Sequence, residues 1–193
     1  MGCVLSAHAT QGPLPYSCAT RYDSAPMASF RSHFQWDPTR PHILVIACSD
    51  GRLQEPTDEF LTRSLGVRQY DRLYVAGGGG ALSPSGKDYL RAQQLRRECK
   101  FLVEAHDVEE IVLLFHGPAI DGPPEAMCAD YRRKLPQLAV TKLRDQQQRD
   151  AAELLMRRDE WAGSARVRVY RCETRADCGL EFVPLDEPRE PGA

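Results

Sequence analysis

The chain has 193 residues, 42% of them hydrophobic and 27% charged, which suits one globular domain with a sizeable core rather than a disordered chain. Its 25 Lys and Arg against 27 Asp and Glu leave a formal net charge of -2, which argues against a dedicated nucleic-acid binder. No apolar run is long enough to span a bilayer, and seven Cys, odd in number and irregularly spaced, imply no disulfide framework and a reducing, cytoplasmic setting.

Residues 1–29 are rich in Ala, Ser, Pro and Gly without apolar periodicity, and are expected to form a flexible arm, with Met27 as an alternative start. Met1-Gly2-Cys3-Val4-Leu5-Ser6 matches the N-myristoylation template, with Cys3 as a second acylation position. Phe30, Phe34 and Trp36 follow at near-helical spacing, an aromatic segment suited to clasping a second subunit or to packing on its own domain. Ile43 to Ala47 is an unbroken, mostly β-branched apolar run, the pattern of a parallel strand buried on both faces. It stops abruptly at Cys48-Ser49-Asp50-Gly51-Arg52, which puts a thiol, a carboxylate and a guanidinium where a buried strand meets a loop.

A helix is expected from Pro56, with Thr57 as its N-cap and Gly66 ending it. Arg72–Ala76 reads as a second buried strand, followed by the glycines 77–80. A helix over 87–105 places Leu95, Cys99 and Leu102 on one face, and Glu110–Phe115 is a third buried strand ending at His116. A Gly/Pro loop leads to a helix near 125–135, stopped at Pro136, and a long polar helix covers roughly 138–160. Arg166–Tyr170 alternates like a strand with one polar face, and 180–185 suits a short edge strand limited by Pro184 and Pro188. The basic clusters Arg96-Arg97/Lys100 and Arg132–Lys134 have acidic neighbours and read as solvated helix faces. The expected fold is therefore α/β: a mostly parallel sheet, helices on both faces and an antiparallel C-terminal edge strand, in a single domain over 30–187 with a tail at 188–193.

In such a sheet ligands bind at the carboxyl ends of the strands, where Cys48, Asp50, Arg52, the glycines and His116 would meet. Cys128 lies twelve residues after His116, just inside the next helix. Thiolate, imidazole and thiolate suit Zn²⁺, and three protein ligands leave one tetrahedral position for water, whose pKa then falls to about 7. Other chemistries fit less well. A dinucleotide loop needs G-x-G-x-x-G after the first strand, where C-S-D-G-R stands instead. Ala81 to Asp88 misses the first Gly and the last Ser/Thr of a Walker A loop. A metal-free hydrolase with Cys48 as nucleophile is a further alternative.

The stretch Cys48-Ser49-Asp50-Gly51-Arg52 resembles the Cys-x-Asp-x-Arg motif of the β-class carbonic anhydrases. Leu73–Gly78 resembles that family's strand and Ala-Gly turn, Val108–His116 its strand ending in a His ligand, and Val167–Phe182 its closing hairpin, so the likeness spans about residues 41–187. The family's His-x-x-Cys-Gly is not reproduced, because Ala119 stands three after His116; the stretch Gly117–Met127 intervenes before Cys128-Ala129-Asp130-Tyr131, which resembles the Cys-Gly-Ala-Tyr of some branches. The resemblance implies zinc held by Cys48, His116 and Cys128, and a catalytic dyad of Asp50 and Arg52 in which Arg52 keeps Asp50 ionised and off the metal. It implies reversible hydration of CO2 to bicarbonate by a homodimer or higher oligomer. Hydrolysis of CS2 or COS at the same site, and a non-catalytic binding or regulatory role, are the alternatives. Asp107, Asp121 and Asp130 are lesser candidates, and Tyr131 is a candidate pocket wall.

Overall fold

The computed structural model describes residues 29–185, so the expectations placed on the first 28 residues and on the tail 188–193 lie outside the described residues. The chain divides between Thr39 and Arg40 into two units. Residues 29–39 contain no helix or strand, and Phe30, Phe34 and Trp36 are exposed there.

The second unit runs β1 (Ile43–Cys48), α1 (Gln54–Arg63), β2 (Asp71–Val75), α2 (Tyr89–Ala105), β3 (Glu110–Pro118), α3 (Ala129–Lys134), α4 (Leu143–Met156), β4 (Arg166–Thr174) and β5 (Leu180–Pro184). The strands form one five-stranded sheet in the order β2-β1-β3-β4-β5. The first four are parallel, and β5 pairs antiparallel with β4. The chain steps from β1 to β2 on one side and then crosses to β3 on the other, so the strand order reverses between β1 and β3. A crevice opens beyond the carboxyl ends of strands at such a switch point.

The apolar run of β1 explains the layering. Leu44 and Ile46 point into a core shared with Leu95 and Cys99 of α2 and Leu143, Ala151 and Leu154 of α4. Val45 and Ala47, one residue out of phase, point into the opposite core with Leu61 of α1 and Val112 and Leu114 of β3. Leu44, Val45 and Ile46 are each fully buried, a contribution of about 1.5–3 kcal/mol per side chain. At the far edge Phe60 of α1 stacks on Phe182 of β5 with ring centroids 4.3 Å apart, which ties the closing strand to the same helix.

Several boundaries differ from expectation. Thr57 is not an N-cap: α1 begins at Gln54, preceded by a 3-10 turn over Gly51–Leu53 whose cap is Asp50, and Thr57 is a buried residue inside the helix. The Asp50 side chain accepts from the Arg52 backbone N–H and so caps that 3-10 turn, which runs straight into α1 and leaves α1 without a side-chain cap of its own. Strand β2 is half-buried rather than buried, as an edge strand should be. Strand β3 continues two residues past His116, because β4 runs alongside it to Pro118↔Thr174. The helix expected near 125–135 splits into a 3-10 turn over Pro124–Ala126 and the six residues of α3, and the expected 138–160 helix is regular only over α4. Neither basic cluster is a simply solvated face. Lys134 is 2% exposed, and its Nζ donates to Gly80 O at 2.7 Å beside Asp150 and over the Tyr131 ring. The Arg96 side chain is only 11% exposed.

Candidate metal centre

Cys48 is the last residue of β1, and His116 lies on its parallel neighbour β3. The register Ile46↔Leu113 sets Cys48 level with Phe115, one residue short of His116. After the loop 117–127 the chain returns to place Cys128 at the N-cap of α3. One ligand atom from each of Cys48, His116 and Cys128 lies within 4.8 Å of the others. The topology thus brings together three residues that are 68 and 12 positions apart in the chain.

The Cys48 sulfur is met by a backbone donor. Gly77 N–H donates to Cys48 Sγ at 3.4 Å. The turn that aims it requires glycine: Gly77 has φ +97°, and Gly78 (φ +53°) packs so tightly that a Cβ there would stand 2.6 Å from Leu114 O and 2.7 Å from Cys48 N. Cys128 sits at the start of α3 without a side-chain capping bond, its sulfur beside Cys48 and His116. The Cys128 thiol donates to Cys48 and, with His116 and Gly77, draws Cys48 down to about 4, against the opposing effect of burial. The same bond and burial push Cys128 well up. The two sulfurs therefore act on each other in opposite directions, and a soft cation that takes both as thiolates displaces any proton between them.

His116 is buried, and its Nε2 has no hydrogen-bond partner among the described residues. A buried imidazole nitrogen left in this way calls for an acceptor or a cation, and two sulfurs stand beside it. The donor set of two Cys and one His is that of a zinc site with one open position, so the residues fit the ion. The backbone of β3 at this point is held from below. Gln147 Nε2 donates to His116 O at 2.9 Å, and buried Arg171 donates to Gln147 Oε1 at 2.7 Å and to Pro118 O at 2.7 Å. Arg171 is balanced by Glu173, which Arg144 also engages.

Asp50 and Arg52 form a fork at the mouth. Arg52 Nε donates to Asp50 Oδ1 at 2.9 Å and Nη2 to Oδ2 at 2.6 Å, so both carboxylate oxygens are engaged. This bond is the main reason that the Asp50 carboxyl falls to about 2. Asp50, Arg52 and His116 line one cavity of about 290 Å³, with Leu53, Ala126 and Leu180 among its apolar walls. A larger cavity of about 660 Å³ lies on the other face of the 117–127 loop, between Pro118–Pro124 and the start of α4. None of the three ligands nor Asp50 lines it, so the smaller cavity is the one with chemistry.

Of the lesser candidates, Asp107 precedes β3 and so sits at the amino end of the strands, away from the site. Tyr131 is not a pocket wall: it is fully buried, with its hydroxyl donating to Asp150 at 2.6 Å. Asp130 has a role that the sequence did not reveal. Its buried carboxylate accepts from Arg91 Nη1 at 2.9 Å and from Arg133 Nη2 at 2.8 Å, while Arg91 Nη2 donates to Ala76 O at 2.6 Å. A Cβ on Gly77 would lie 2.4 Å from Asp130 Oδ2. Asp130 therefore joins the turn that supports Cys48 to the helix that carries Cys128. Nothing in a local pattern marks Arg91 as its partner, since 39 residues separate the two.

No protein-family model matches the chain, and no curated protein sequence matches it. Among solved structures it is similar to a carbonic anhydrase from Glaciozyma antarctica, with 16% identity, 77% of this chain and 83% of that one covered, and a TM-score of 0.43. It is also similar to the β-carbonic anhydrase CafA of Aspergillus fumigatus (17% identity, 77% and 78% covered, TM-score 0.38). A third is β-carbonic anhydrase isoform I of Trichomonas vaginalis (13% identity, 80% and 87% covered, TM-score 0.37). At these identities and scores the likenesses add nothing about chemistry, which has to be read from this chain's own side chains.

Proposed function

We propose that the protein is a zinc-dependent carbonic-anhydrase-like lyase that interconverts CO2 and bicarbonate, with Cys48, His116 and Cys128 as metal ligands and Asp50 and Arg52 as the catalytic pair. The observation that carries this reading is the convergence of the three ligand atoms within 4.8 Å, one of them, His116, lining a cavity that also holds the Arg-locked carboxylate of Asp50. A zinc ion in that position supplies Lewis acidity and a water acidic enough to ionise near neutral pH.

The protein's own groups supply the rest. Asp50 is ionised throughout the working range, so its carboxylate would accept a hydrogen bond from the water that zinc supplies and orient it toward substrate. Arg52 occupies both oxygens of Asp50, which keeps the carboxylate from closing the open position. Leu53, Ala126 and Leu180 give a small linear apolar molecule a dry wall, while Arg52, largely exposed, offers the departing anion a positive exit. A cytoplasmic setting belongs to this reading, because both sulfurs must stay reduced to hold zinc. A homodimer does too, by the resemblance alone, and sedimentation at micromolar concentration tests it.

Stopped-flow CO2 hydration of zinc-replete protein between about pH 7 and 9 tests the activity. Turnover that disappears with zinc removal and returns with zinc supports it. Full zinc without turnover would leave a binding protein in its place.

A further inference from the structure

Helix α2 carries a second set of converging donors that the metal centre does not use. Tyr89, Gln93, Arg96 and Lys100 recur at intervals of three and four, with Arg97 four after Gln93, and so share one helical face. With Arg157 at the C-terminal end of α4 they line a cavity of about 240 Å³. Four cationic side chains surround it against one carboxylate, Glu160, and that carboxylate is already held by Arg157 Nε at 2.8 Å. Two further acids lie nearby, Glu153 at 3.8 Å from Arg157 and Glu104 at 3.9 Å from Lys100. Arg97 makes no ion pair among the described residues.

Arg96 distinguishes this cavity from a solvated basic face. Its Nε donates to Leu82 O at 2.8 Å, which fixes the guanidinium in place. Its approach to Glu160 is a long 3.7 Å, and its Nη2 is buried without a hydrogen-bond partner among the described residues. A buried guanidinium with an idle donor, beside a second guanidinium, is costly unless an anion completes it.

We propose that this cavity binds a phosphate group, free or carried on a small organic molecule. Several fork-shaped donors converge from two helices, which suits a tetrahedral dianion better than a single carboxylate. With Glu104 and Glu153 counted beside Glu160, four cations still face three carboxylates, and Arg96 and Arg97 are the ones left for an anion to complete. Pro84 and the half-exposed ring of Tyr89 on the rim give a flat apolar surface for an organic body.

Isothermal titration of the full chain with inorganic phosphate and with AMP, at physiological salt, tests this. Binding with a Kd of about 1 mM or tighter is expected for at least one probe. Tighter AMP binding assigns an organic phosphate, and equal affinity a free one. The exposed pair Arg97→Gln/Lys100→Gln, which leaves the core untouched, should weaken binding about tenfold or more, and so should Arg96→Gln. Arg63→Gln on α1, exposed but on the opposite side of the sheet, should not. Absence of binding by both probes, binding undiminished in the Arg97/Lys100 double variant, or an equal loss in Arg63→Gln would each overturn the proposal.

Discussion

Cys48 and Cys128 act on each other, Cys48 drawn down and Cys128 pushed up, so neither is an isolated reactive thiol. Cys48→Ser and Cys128→Ser are each expected to reduce bound zinc from about one per chain to near zero, measured by metal analysis after dialysis. Asp50→Asn should behave differently if the proposed reading holds: zinc stays, while CO2 hydration falls about 10²–10⁴-fold, since in that reading the carboxylate orients the nucleophile rather than holding the metal. The pair also has an acid signature. The Asp50 carboxyl lies near 2 in the fold, below its ordinary 3.8, so its contribution to stability is present above about pH 4 and is lost as pH falls toward 2. In chelator-treated protein, the difference in melting temperature between wild type and Asp50→Asn should therefore shrink between about pH 4 and 2. Gly77→Ala meets Asp130 and a left-handed φ together, and is expected to cost about 1–3 kcal/mol in urea unfolding and to loosen zinc as well.

At the scale of elements, the loop 117–127 settles how an irregular His-to-Cys spacing still builds a site. Ala119, which stands where the resemblance would put a cysteine, is turned away: its N–H bonds to Thr174 O at 2.8 Å, and it lines the larger cavity on the far face of the loop. Ala119→Cys in a Cys128→Ser background should therefore not restore zinc. The sequence showed the stretch but not its course, because its anchors are long-range: the Ala119 contact to β4, and Gly122, where a Cβ would meet Thr174 O at 2.0 Å. The same holds for the support under His116. Arg171 falls in phase with Val167 and Val169, on the buried face of β4, and the group that satisfies it there, Gln147, comes from α4, distant in the chain. Arg171→Met should destabilise the fold by about 3 kcal/mol in urea unfolding, since it leaves Glu173 buried with Arg144 alone.

For the molecule as a whole, the features legible in the sequence are those set by period and composition. The β-branched run 43–47 identified a strand buried on both faces, and its two out-of-phase residue sets do pack into two separate cores. The alternation of strands with helices identified a parallel sheet with an antiparallel edge. Cys48, His116 and Cys128 were picked out by ligand chemistry and resemblance, and the switch point between β1 and β3 is the physical reason that they meet. Ends of elements were less legible, because the turn over Gly51–Leu53 and the extension of β3 depend on a side-chain cap and on a partner strand.

The most direct test of the account is X-ray absorption at the zinc edge on purified protein. Two sulfurs near 2.3 Å and one imidazole nitrogen near 2.0 Å, with a fourth light atom completing the sphere, is the predicted result. A sphere with fewer than two sulfurs, or protein that binds no zinc, would contradict it.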